Sequence, residues 1–301
     1  MSMVTPPLNI AQLNARLSEV ATEQGIPVDR VRLMLCTLVV SQMMPEAVAI
    51  KGGMGIKLRL GEHGTRATSD LDVASRSREE FEEQFRARLQ RGWGRVPASK
   101  GALRVNPDAE DRVAFTGALR RGRLHDPGLV APQYLVHPYR VSLSFLGREW
   151  AGLDVEVSDP EIEPRDTPRK QGVDQQLARL GSHFGFGDLK PIQLIDLEHQ
   201  IAQKLHAVTD PAYERAHDLV DLQILWTASP DLDALRELCV RTFDLRRAQS
   251  WPPVPLRPMD GWDAAYLESR METVVDGATS VLATLDEART WVEDRIRGLA
   301  E

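Results

Sequence analysis

The N-terminal part of the chain carries apolar residues at helical spacing. Between Asn9 and Gln24 they recur at intervals of three and four residues, which predicts an amphipathic helix. Asp29–Met43 repeats this pattern, and Pro45 ends it. Ser77–Arg91 carries aromatic and aliphatic residues four positions apart, which is again typical of a helix with one buried face. We expect these helices to pack beside a sheet.

Extended patterns dominate the next part of the chain. Val113–Leu119, Tyr139–Phe145 and Leu153–Val157 alternate apolar and polar residues, at least in part, as half-buried strands do. Val48–Ile50 is a short apolar run that suits a buried strand. Several strands that follow an opening strand, turn, helix and strand indicate one mixed sheet. The predicted fold class is therefore α+β, with a mixed β-sheet and flanking helices in the N-terminal domain.

A charged, proline-rich stretch, Asp159–Arg169, separates this region from a remainder that is mainly helical. Asp196–Val208 and Arg215–Leu225 each place apolar residues on one side at helical spacing. Met271–Leu299 predicts a single long helix by the same criterion. The sequence thus predicts two domains, residues 1–158 and residues 159–301, of which the second is helical.

A glycine turn and two aspartates form the first candidate site. Gly52 and Gly53 permit a tight turn, and backbone N–H groups at the helix start that follows form a cradle for phosphate. The helix predicted over Met54–Leu60 is inferred from this turn, because its apolar residues alternate as they would in a strand. Asp70 and Asp72 are two residues apart, so on a strand both point to one face.

The two carboxylates indicate a metal site. Neighbouring carboxylates repel each other unless a cation lies between them, and Mg²⁺ is usually held by one or two carboxylates plus substrate phosphates. A phosphate cradle that faces such a metal is the equipment for phosphoryl or nucleotidyl transfer. Aspartates at this spacing are also common on solvated turns, so the inference depends on the glycine turn upstream. Asp70 and Asp72 are the first candidate metal ligands.

This first motif resembles that of the nucleotidyltransferase-like toxins of the AbiEii/AbiGii (MenT) family. In this chain it reads Gly52-Gly53, then Arg66, then Thr68-Ser69-Asp70-Leu71-Asp72. The family commonly has Ser or Thr soon after the glycines, where a hydroxyl binds a nucleotide phosphate, whereas this chain has Met54 and Gly55. The resemblance implies that the nucleotide is bound by Lys51, Gly52, Gly53, Arg66, Thr68 and Ser69.

A second motif, on the predicted helix pair, resembles the C-terminal signature of the same family. The resemblance implies that Lys204 and Asp218 are catalytic. Lys204 suits triphosphate oxygens as a point charge, and Asp218 either orients Lys204 or assists deprotonation of an acceptor hydroxyl. The alternative is that the two form an ion pair between helices. The matching residues are Lys204-Leu205-His206-Ala207, then Arg215, Asp218, Leu219 and Asp221, of which Arg215 and Asp221 are expected to be structural.

A third acidic group is expected from a neighbouring strand. Asp154 and Glu156 share one face of the Leu153–Val157 strand, by the period of two. The toxins that this chain resembles can carry an apolar–Glu–apolar–Ser run at this place, and Glu156 lies in such a run. Glu156 is therefore the third candidate metal ligand, ahead of Asp154, and the alternative is a surface-facing edge.

Composition narrows the class of protein. The chain has 301 residues, 42% of them hydrophobic and 27% charged, which suits a globular protein with a large core. The net charge of −7 argues against a basic surface overall but leaves room for a local basic groove. Cys36 and Cys239 make neither a disulfide framework nor a zinc site. With no signal-peptide pattern and no stretch long enough to span a bilayer, a cytoplasmic location is expected.

Three arginines lie in a predicted loop, Arg120–Gln133. Arg120, Arg121 and Arg123 either form a solvated turn or contact the backbone of a nucleic acid.

The resemblance implies the toxin of a toxin–antitoxin system, a nucleotidyltransferase that uses Mg²⁺ or Mn²⁺ and takes an NTP as substrate. The implied acceptor is the 3′ acceptor end of tRNA, whose modification would stop aminoacylation and translation, and the implied protein partner is a cognate antitoxin. Two alternatives stay open. One is an antibiotic-type nucleotidyltransferase that acts on a small molecule, which the acidic net charge favours slightly. The other is a non-catalytic nucleotide-binding module, which Met54 and Gly55 favour.

Overall fold

The fold is α+β, as predicted, with a mixed sheet and flanking helices followed by a helical C-terminal region. The computed structural model describes residues 4–123, 136–159, 169–171, 173–212, 214–247, 249–275 and 277–301. No helix in these described ranges is long and apolar enough to cross a membrane.

The described strands and helices are numbered in chain order. The strands are β1 (Val48–Lys51), β2 (Asp70–Ser75), β3 (Trp93–Val96), β4 (Arg112–Arg121), β5 (His137–Phe145), β6 (Arg148–Ser158), β7 (Arg169–Gln171) and β8 (Ile192–Leu194). The helices are α1 (Ile10–Gln24), α2 (Val28–Met43), α3 (Gly52–Leu60), α4 (Arg78–Arg91), α5 (Lys100–Val105), α6 (Gln175–His183), α7 (Leu197–Thr209), α8 (Ala216–Trp226), α9 (Leu232–Arg246), α10 (Trp262–Met271) and α11 (Leu285–Ala300).

All eight of these strands form one sheet, in the order β3-β4-β5-β6-β2-β1-β8-β7. β2 runs parallel to β6, β1 runs parallel to β8, and the other neighbours are antiparallel. This order places β2, which carries the two aspartates, between the glycine turn at the end of β1 and the long strand β6. The long-range pairing of β2 with β6 therefore decides which residues surround the candidate site.

The helices predicted from local patterns form where local interactions favour them. The Asn9 side chain caps α1 by accepting a hydrogen bond from the Gln12 N–H at 2.9 Å, and Gly25 ends it in the left-handed region with φ 64°. Ser77 caps α4 in the same way. The helix predicted over Met54–Leu60 from the glycine turn is also confirmed, as part of α3.

Two hydrophobic cores hold the chain together. The first packs α1, α2, α4 and α6 against one face of the sheet, around residues such as Leu35, Phe85 and Val155. The second lies among α7 to α11, around Leu205, Leu222 and Val292. Ile56 of α3 belongs to the second core, so the helix after the glycine turn joins the sheet to the helical region.

The sheet also takes in two short strands, β7 and β8, that lie beyond Ser158. The residues of the first core continue to Leu194, and those of the second core are found from Ile201 onward, apart from Ile56. The division of the chain after Ser158 stays a prediction about independent domains.

The prediction of one long helix over Met271–Leu299 is wrong. α10 ends at Met271, Val275 and Ala278 form a short bridge, and α11 begins only at Leu285. Gly277 takes φ 78°, which ends helical geometry, and Thr284 starts α11 with a capping box that includes Glu287.

Three further expectations are revised or fall outside the described ranges. Arg120 and Arg121 belong to strand β4 rather than to a loop. Of the rest of the predicted loop, Arg120–Gln133, the structure describes only residues 122–123. Of the predicted linker, Asp159–Arg169, it describes only residues 159 and 169, and β7 begins at residue 169. The helix predicted over Asp29–Met43 begins one residue earlier, at Val28, with Pro27 at the N-cap.

Candidate active site

The parallel pairing of β2 with β6 gathers three carboxylates. Asp72 is the direct neighbour of Glu156 across the two strands, and Asp70 is the neighbour of Asp154. Carboxylate oxygens of Asp70, Asp72 and Glu156 lie within 4.8 Å of one another. Asp154 is 62% exposed and instead accepts a hydrogen bond from Arg140 at 2.8 Å. The structure thus groups Glu156, and not Asp154, with the aspartate pair.

The electrostatics of this triad indicate an uncompensated negative charge. Burial raises the pKa of Asp72, and the charge of Asp70 adds to that effect, although Lys51 opposes both. Burial, then the charges of Asp72 and Asp70, likewise raise the pKa of Glu156. Three clustered carboxylates, two of them with raised pKa values, are the donor set that a hard divalent cation would satisfy.

The glycine turn lies directly against the triad. Gly52 has φ 65°, and a Cβ atom placed on it would lie 1.7 Å from Oδ2 of Asp72. A Cβ on Gly53 would lie 3.0 Å from the Thr68 hydroxyl oxygen. Lys51, just before the turn, is the cross-strand partner of Asp72. Only glycine fits at position 52, since any side chain would displace the carboxylate.

The side chain of Met54 explains why no hydroxyl follows the glycines. Met54 is 2% exposed and packs in the first hydrophobic core. A hydroxyl group does lie close to the turn, that of Thr68, which faces Gly53. Ser69 donates a hydrogen bond to Oδ1 of Asp70 at 3.3 Å. Thr68 and Ser69 therefore bring hydroxyl groups to this side of the site from the segment just before β2.

Helix α7 is fixed to the turn from the opposite side. The Gln200 side chain donates a hydrogen bond to the Gly52 carbonyl oxygen at 2.9 Å. Lys204 lies one turn further along α7, on the same face as Gln200. Its Nζ atom contacts Oδ1 of Asp218 at 2.5 Å and Oδ2 of Asp221 at 2.7 Å. The ion pair considered from the sequence thus exists, and it includes a second carboxylate.

The second carboxylate links this helix pair back to the first motif. Arg66 makes a bidentate pair with Asp221, at 2.9 Å from Nε and 3.0 Å from Nη2. The same Nη2 atom would lie 3.4 Å from a Cβ on Gly53. Sequence reasoning treated Asp221 as structural and did not pair it with Arg66, because the two are 155 positions apart. Their opposite charges within the two motifs were the only available signal.

The buried network formed by Arg66, Lys204, Asp218 and Asp221 pairs two cations with two carboxylates. Burial disfavours the charged forms, but Lys204 and Arg66 outweigh it and lower the pKa of Asp221 to about 2. Burial is likewise outweighed at Lys204, whose pKa is raised by Asp218 and Asp221. The charges of Lys204 and Arg215 reach the triad and favour ionisation of Asp72. The two motifs therefore share one electrostatic environment.

A protein-family model decides the family. The model for the nucleotidyl transferase AbiEii toxin of type IV toxin–antitoxin systems matches residues 32–273, which is most of the chain and includes both motifs. The chain belongs to the AbiEii family. This AbiEii protein is therefore a nucleotidyltransferase, and its family implies a nucleotide substrate, usually a divalent metal, and an antitoxin partner. The alternative of a non-catalytic binding module is not supported.

Two solved structures resemble this AbiEii protein. MenT4, a nucleotidyltransferase toxin from Mycobacterium tuberculosis, is 18% identical; the match covers 98% of this chain and 100% of that one, with a TM-score of 0.49. A protein from H. pylori described as a nucleotidyltransferase is 15% identical; the match covers 90% of this chain and 93% of that one, with a TM-score of 0.39. A comparison with curated protein sequences finds no match. The family assignment therefore depends on the family model.

Proposed function

We propose that this AbiEii protein transfers nucleotides from an NTP to the 3′ acceptor end of tRNA, and that the modified tRNA no longer accepts an amino acid. The observation that carries the proposal is the position of the three carboxylates. Asp70, Asp72 and Glu156 lie against the Gly52–Gly53 turn, so a metal ion and a triphosphate would meet there.

The carboxylate triad is the proposed metal site. Asp70, Asp72 and Glu156 would hold Mg²⁺, or Mn²⁺ in its place, because both prefer oxygen ligands. When bound, the metal would neutralise negative charge on the phosphates of the NTP. The raised pKa values of Asp72 and Glu156 support this proposal, since burial and then repulsion between the carboxylates raise them, and a bound cation would offset both.

The nucleotide would be bound by the turn and by the cations around it. Backbone N–H groups after Gly52 and Gly53 would contact phosphate oxygens, and the hydroxyls of Thr68 and Ser69 would add hydrogen bonds. Lys51 and Arg66 would supply positive charge at the two sides of the turn. Arg66 is already held by Asp221, so its position would not change on binding.

Lys204 and Asp218 would act on the reacting groups. The acceptor hydroxyl gives its proton to solvent as it attacks the α-phosphorus in line, the bond to the bridging oxygen breaks, and pyrophosphate leaves with that electron pair. Two carboxylates hold Lys204 in its charged form, so it would offer positive charge to the leaving pyrophosphate. Asp218, also buried, would orient Lys204 rather than take the proton itself, because Lys204 keeps Asp218 occupied at 2.5 Å.

Labelled NTPs test this proposal. Each of the four is incubated with the protein, Mg²⁺ and total tRNA, and label on RNA is measured for the native chain, for Asp70→Ala and for Asp294→Ala. Asp294 lies on α11, where it pairs with Arg297 three residues away at 3.0 Å, so it controls for the loss of one aspartate. The expected result is label on tRNA that Asp70→Ala abolishes and Asp294→Ala retains.

The net charge of −7 supports one other acceptor, a small molecule of the antibiotic type. Label on an added small acceptor, with none on RNA for any NTP, would establish that function and refute transfer to tRNA. Digestion of labelled tRNA from its 3′ end distinguishes terminal addition from internal labelling.

A further inference from the structure

The sheet register aligns two arginines with the carboxylate triad. Arg120 of β4 is the cross-strand neighbour of Arg140 of β5, which is the neighbour of Asp154 of β6, which is the neighbour of Asp70 of β2. Directly opposed residues in adjacent strands point to the same face of a sheet. These four side chains therefore form one row across the face that carries the triad.

The other face of the same strands is the covered one. Alternate residues of β5, such as Val141 and Leu143, are buried in the first core, and Phe85 of α4 packs in that core beside them. Arg121, next to Arg120, lies on this covered side and pairs with Glu82 of α4 at 2.6 Å. We call the face with Arg120, Arg140 and Asp154 the open face, because these three residues and the neighbouring Ser142 and Ser144 are exposed or partly exposed.

The open face carries few large side chains next to the arginine row. Five of its described residues there are small or carry hydroxyl groups. Gly152 has no side chain, and the Arg140 guanidinium occupies that space: a Cβ on Gly152 would lie 2.5 Å from Nη2 of Arg140. The guanidinium thus lies against the sheet surface instead of extending away from it. The small and hydroxyl-bearing residues are Thr116, Ala118, Ser142, Ser144 and Gly152.

We propose that the open face binds the sugar–phosphate backbone of the RNA acceptor, with Arg120 and Arg140 contacting its phosphates. This inference depends on the proposed function, because it places the 3′ end of that RNA at the triad. With strands about 4.8 Å apart, the Cα atoms of Arg140 and Arg120 lie about 10 Å and about 14 Å from that of Asp70. An RNA strand whose 3′ end lies at the triad would pass both arginines within a few nucleotides.

Charge favours a polyanion over other occupants. The chain as a whole is acidic, with a net charge of −7, yet this row places two guanidinium groups on one exposed sheet face. Arg123, also exposed, follows Arg120 along the chain. Phosphate groups are the ligands that guanidinium groups bind best, and backbone contacts of this kind position a nucleic acid without reading its sequence.

Asp154 sets the strength of this contact. It accepts a hydrogen bond from Arg140, and therefore competes with phosphate for the same guanidinium. Its side chain is more than half exposed, so the pair is open to exchange. Replacing Asp154 with Asn would free Arg140 and strengthen RNA binding, whereas a purely structural pair would leave RNA binding unchanged.

RNA binding and transfer kinetics test the inference on the full chain. Total tRNA is titrated at several KCl concentrations against the native protein, Arg120→Ala/Arg140→Ala, Asp154→Asn and the control Arg121→Ala. For two lost contacts to a single strand, the slope of log K against log salt should fall by about 1.4, and the KM for tRNA should rise roughly tenfold. Arg121→Ala, which removes one positive charge from the covered side, should change neither quantity.

The outcomes separate this inference from the proposed function. If native protein labels tRNA but the double variant keeps the native KM and salt slope, the open face is not the RNA site, although the function stands. If Arg121→Ala weakens RNA binding as much as the double variant, the loss of binding reflects the overall charge of the protein and the inference is wrong. If native protein labels no RNA and binds none, both are wrong. Circular dichroism and thermal unfolding establish that each variant is folded.

Discussion

Gly52 and Asp72 are packed so closely that a methyl group on the glycine would lie 1.7 Å from a carboxylate oxygen of the aspartate. The turn that would bind phosphate and the carboxylate that would bind metal are thus in direct contact. Neither can shift without moving the other. This contact lies at the end of β1, where Lys51 and Asp72 are paired across two antiparallel strands.

We expect Gly52→Ala to reduce nucleotidyl transfer by about a hundredfold or more, because the new methyl group displaces Asp72 and small misplacements at a reacting centre have effects of that size. The measurement is the rate of label transfer from NTP at saturating tRNA.

Gly25→Ala is the matched control for this variant. Gly25 has φ 64°, close to the 65° of Gly52, but an added Cβ there meets nothing within 4 Å. It therefore carries the backbone strain, about 1–2 kcal/mol, without the clash. Equal losses of activity in the two variants would show that strain, not displacement of Asp72, is responsible.

The carboxylate triad predicts a gain of stability with Mg²⁺. At a free concentration about a hundred times its Kd, the ion should stabilise the native protein by about 2.7 kcal/mol. Glu156→Gln should remove most of that gain. Without metal, the variant should be at least as stable as the native chain, because one of three mutually repelling carboxylates is gone. Thermal unfolding with and without Mg²⁺ measures both effects.

Asp154→Asn is the control for the metal experiment, since Asp154 lies on the same strand two residues away but outside the triad. An Mg²⁺-dependent increase in Tm of native size in Glu156→Gln would contradict the proposed ligand set. Loss of the increase in both variants would point to a site spread over the whole strand end.

The helices with strong local signals were predictable, and the long-range pairs were not. α1 and α4 follow from an apolar stripe and a capping residue, all within one helix length. The break between α10 and α11 was missed because apolar spacing continues through Gly277, although the capping pair Thr284 and Glu287 marked the true start of α11.

In the candidate site, too, the features set by local geometry were predictable and the long-range contacts were not. The shared face of Asp70 and Asp72 follows from strand geometry alone. The approach of Glu156 needs the register of β6 beside β2, which only the packed sheet determines. The Arg66–Asp221 pair joins two distant parts of the chain, one near the residues of the first core and one among those of the second. Local periodicity carries no information on such a contact.

Lys204 provides a prediction that separates stability from activity. Lys204→Met leaves Asp218 and Asp221 without their shared cation, and an uncompensated buried charge costs about 3–5 kcal/mol. Adding Asp218→Asn removes one of those carboxylates and leaves Asp221 paired with Arg66. We expect the double variant to recover much of the lost stability, as measured by urea unfolding, without recovering nucleotidyl transfer.

If the double variant regains activity along with stability, Lys204 acts only as a structural ion-pair partner. Lys204→Arg extends the comparison, because it keeps the charge but changes the donor geometry. A catalytic contact with phosphate should make Lys204→Arg stable and slow, whereas a structural role should leave its rate close to native.

Asp221 makes stability depend on pH in the acid range. Its pKa is lowered from 3.8 to about 2 by Lys204 and Arg66, against the effect of burial, so the folded state holds the ionised form more strongly than the unfolded state does. The resulting stability is complete above pH 3.8 and is lost as the pH falls through about 2. With about 1.4 kcal/mol for each pKa unit, this contribution is on the order of 2 kcal/mol.

Asp221→Asn should destabilise the protein by about 3–5 kcal/mol at pH 7, because the buried Arg66 loses its bidentate carboxylate and Lys204 keeps only Asp218. The loss should shrink as the pH falls, since the native carboxylate is itself protonated there. Urea unfolding midpoints of both chains between neutral pH and the onset of acid unfolding measure this convergence. Parallel curves for the two chains would mean that Asp221 is not the group whose protonation weakens the native fold.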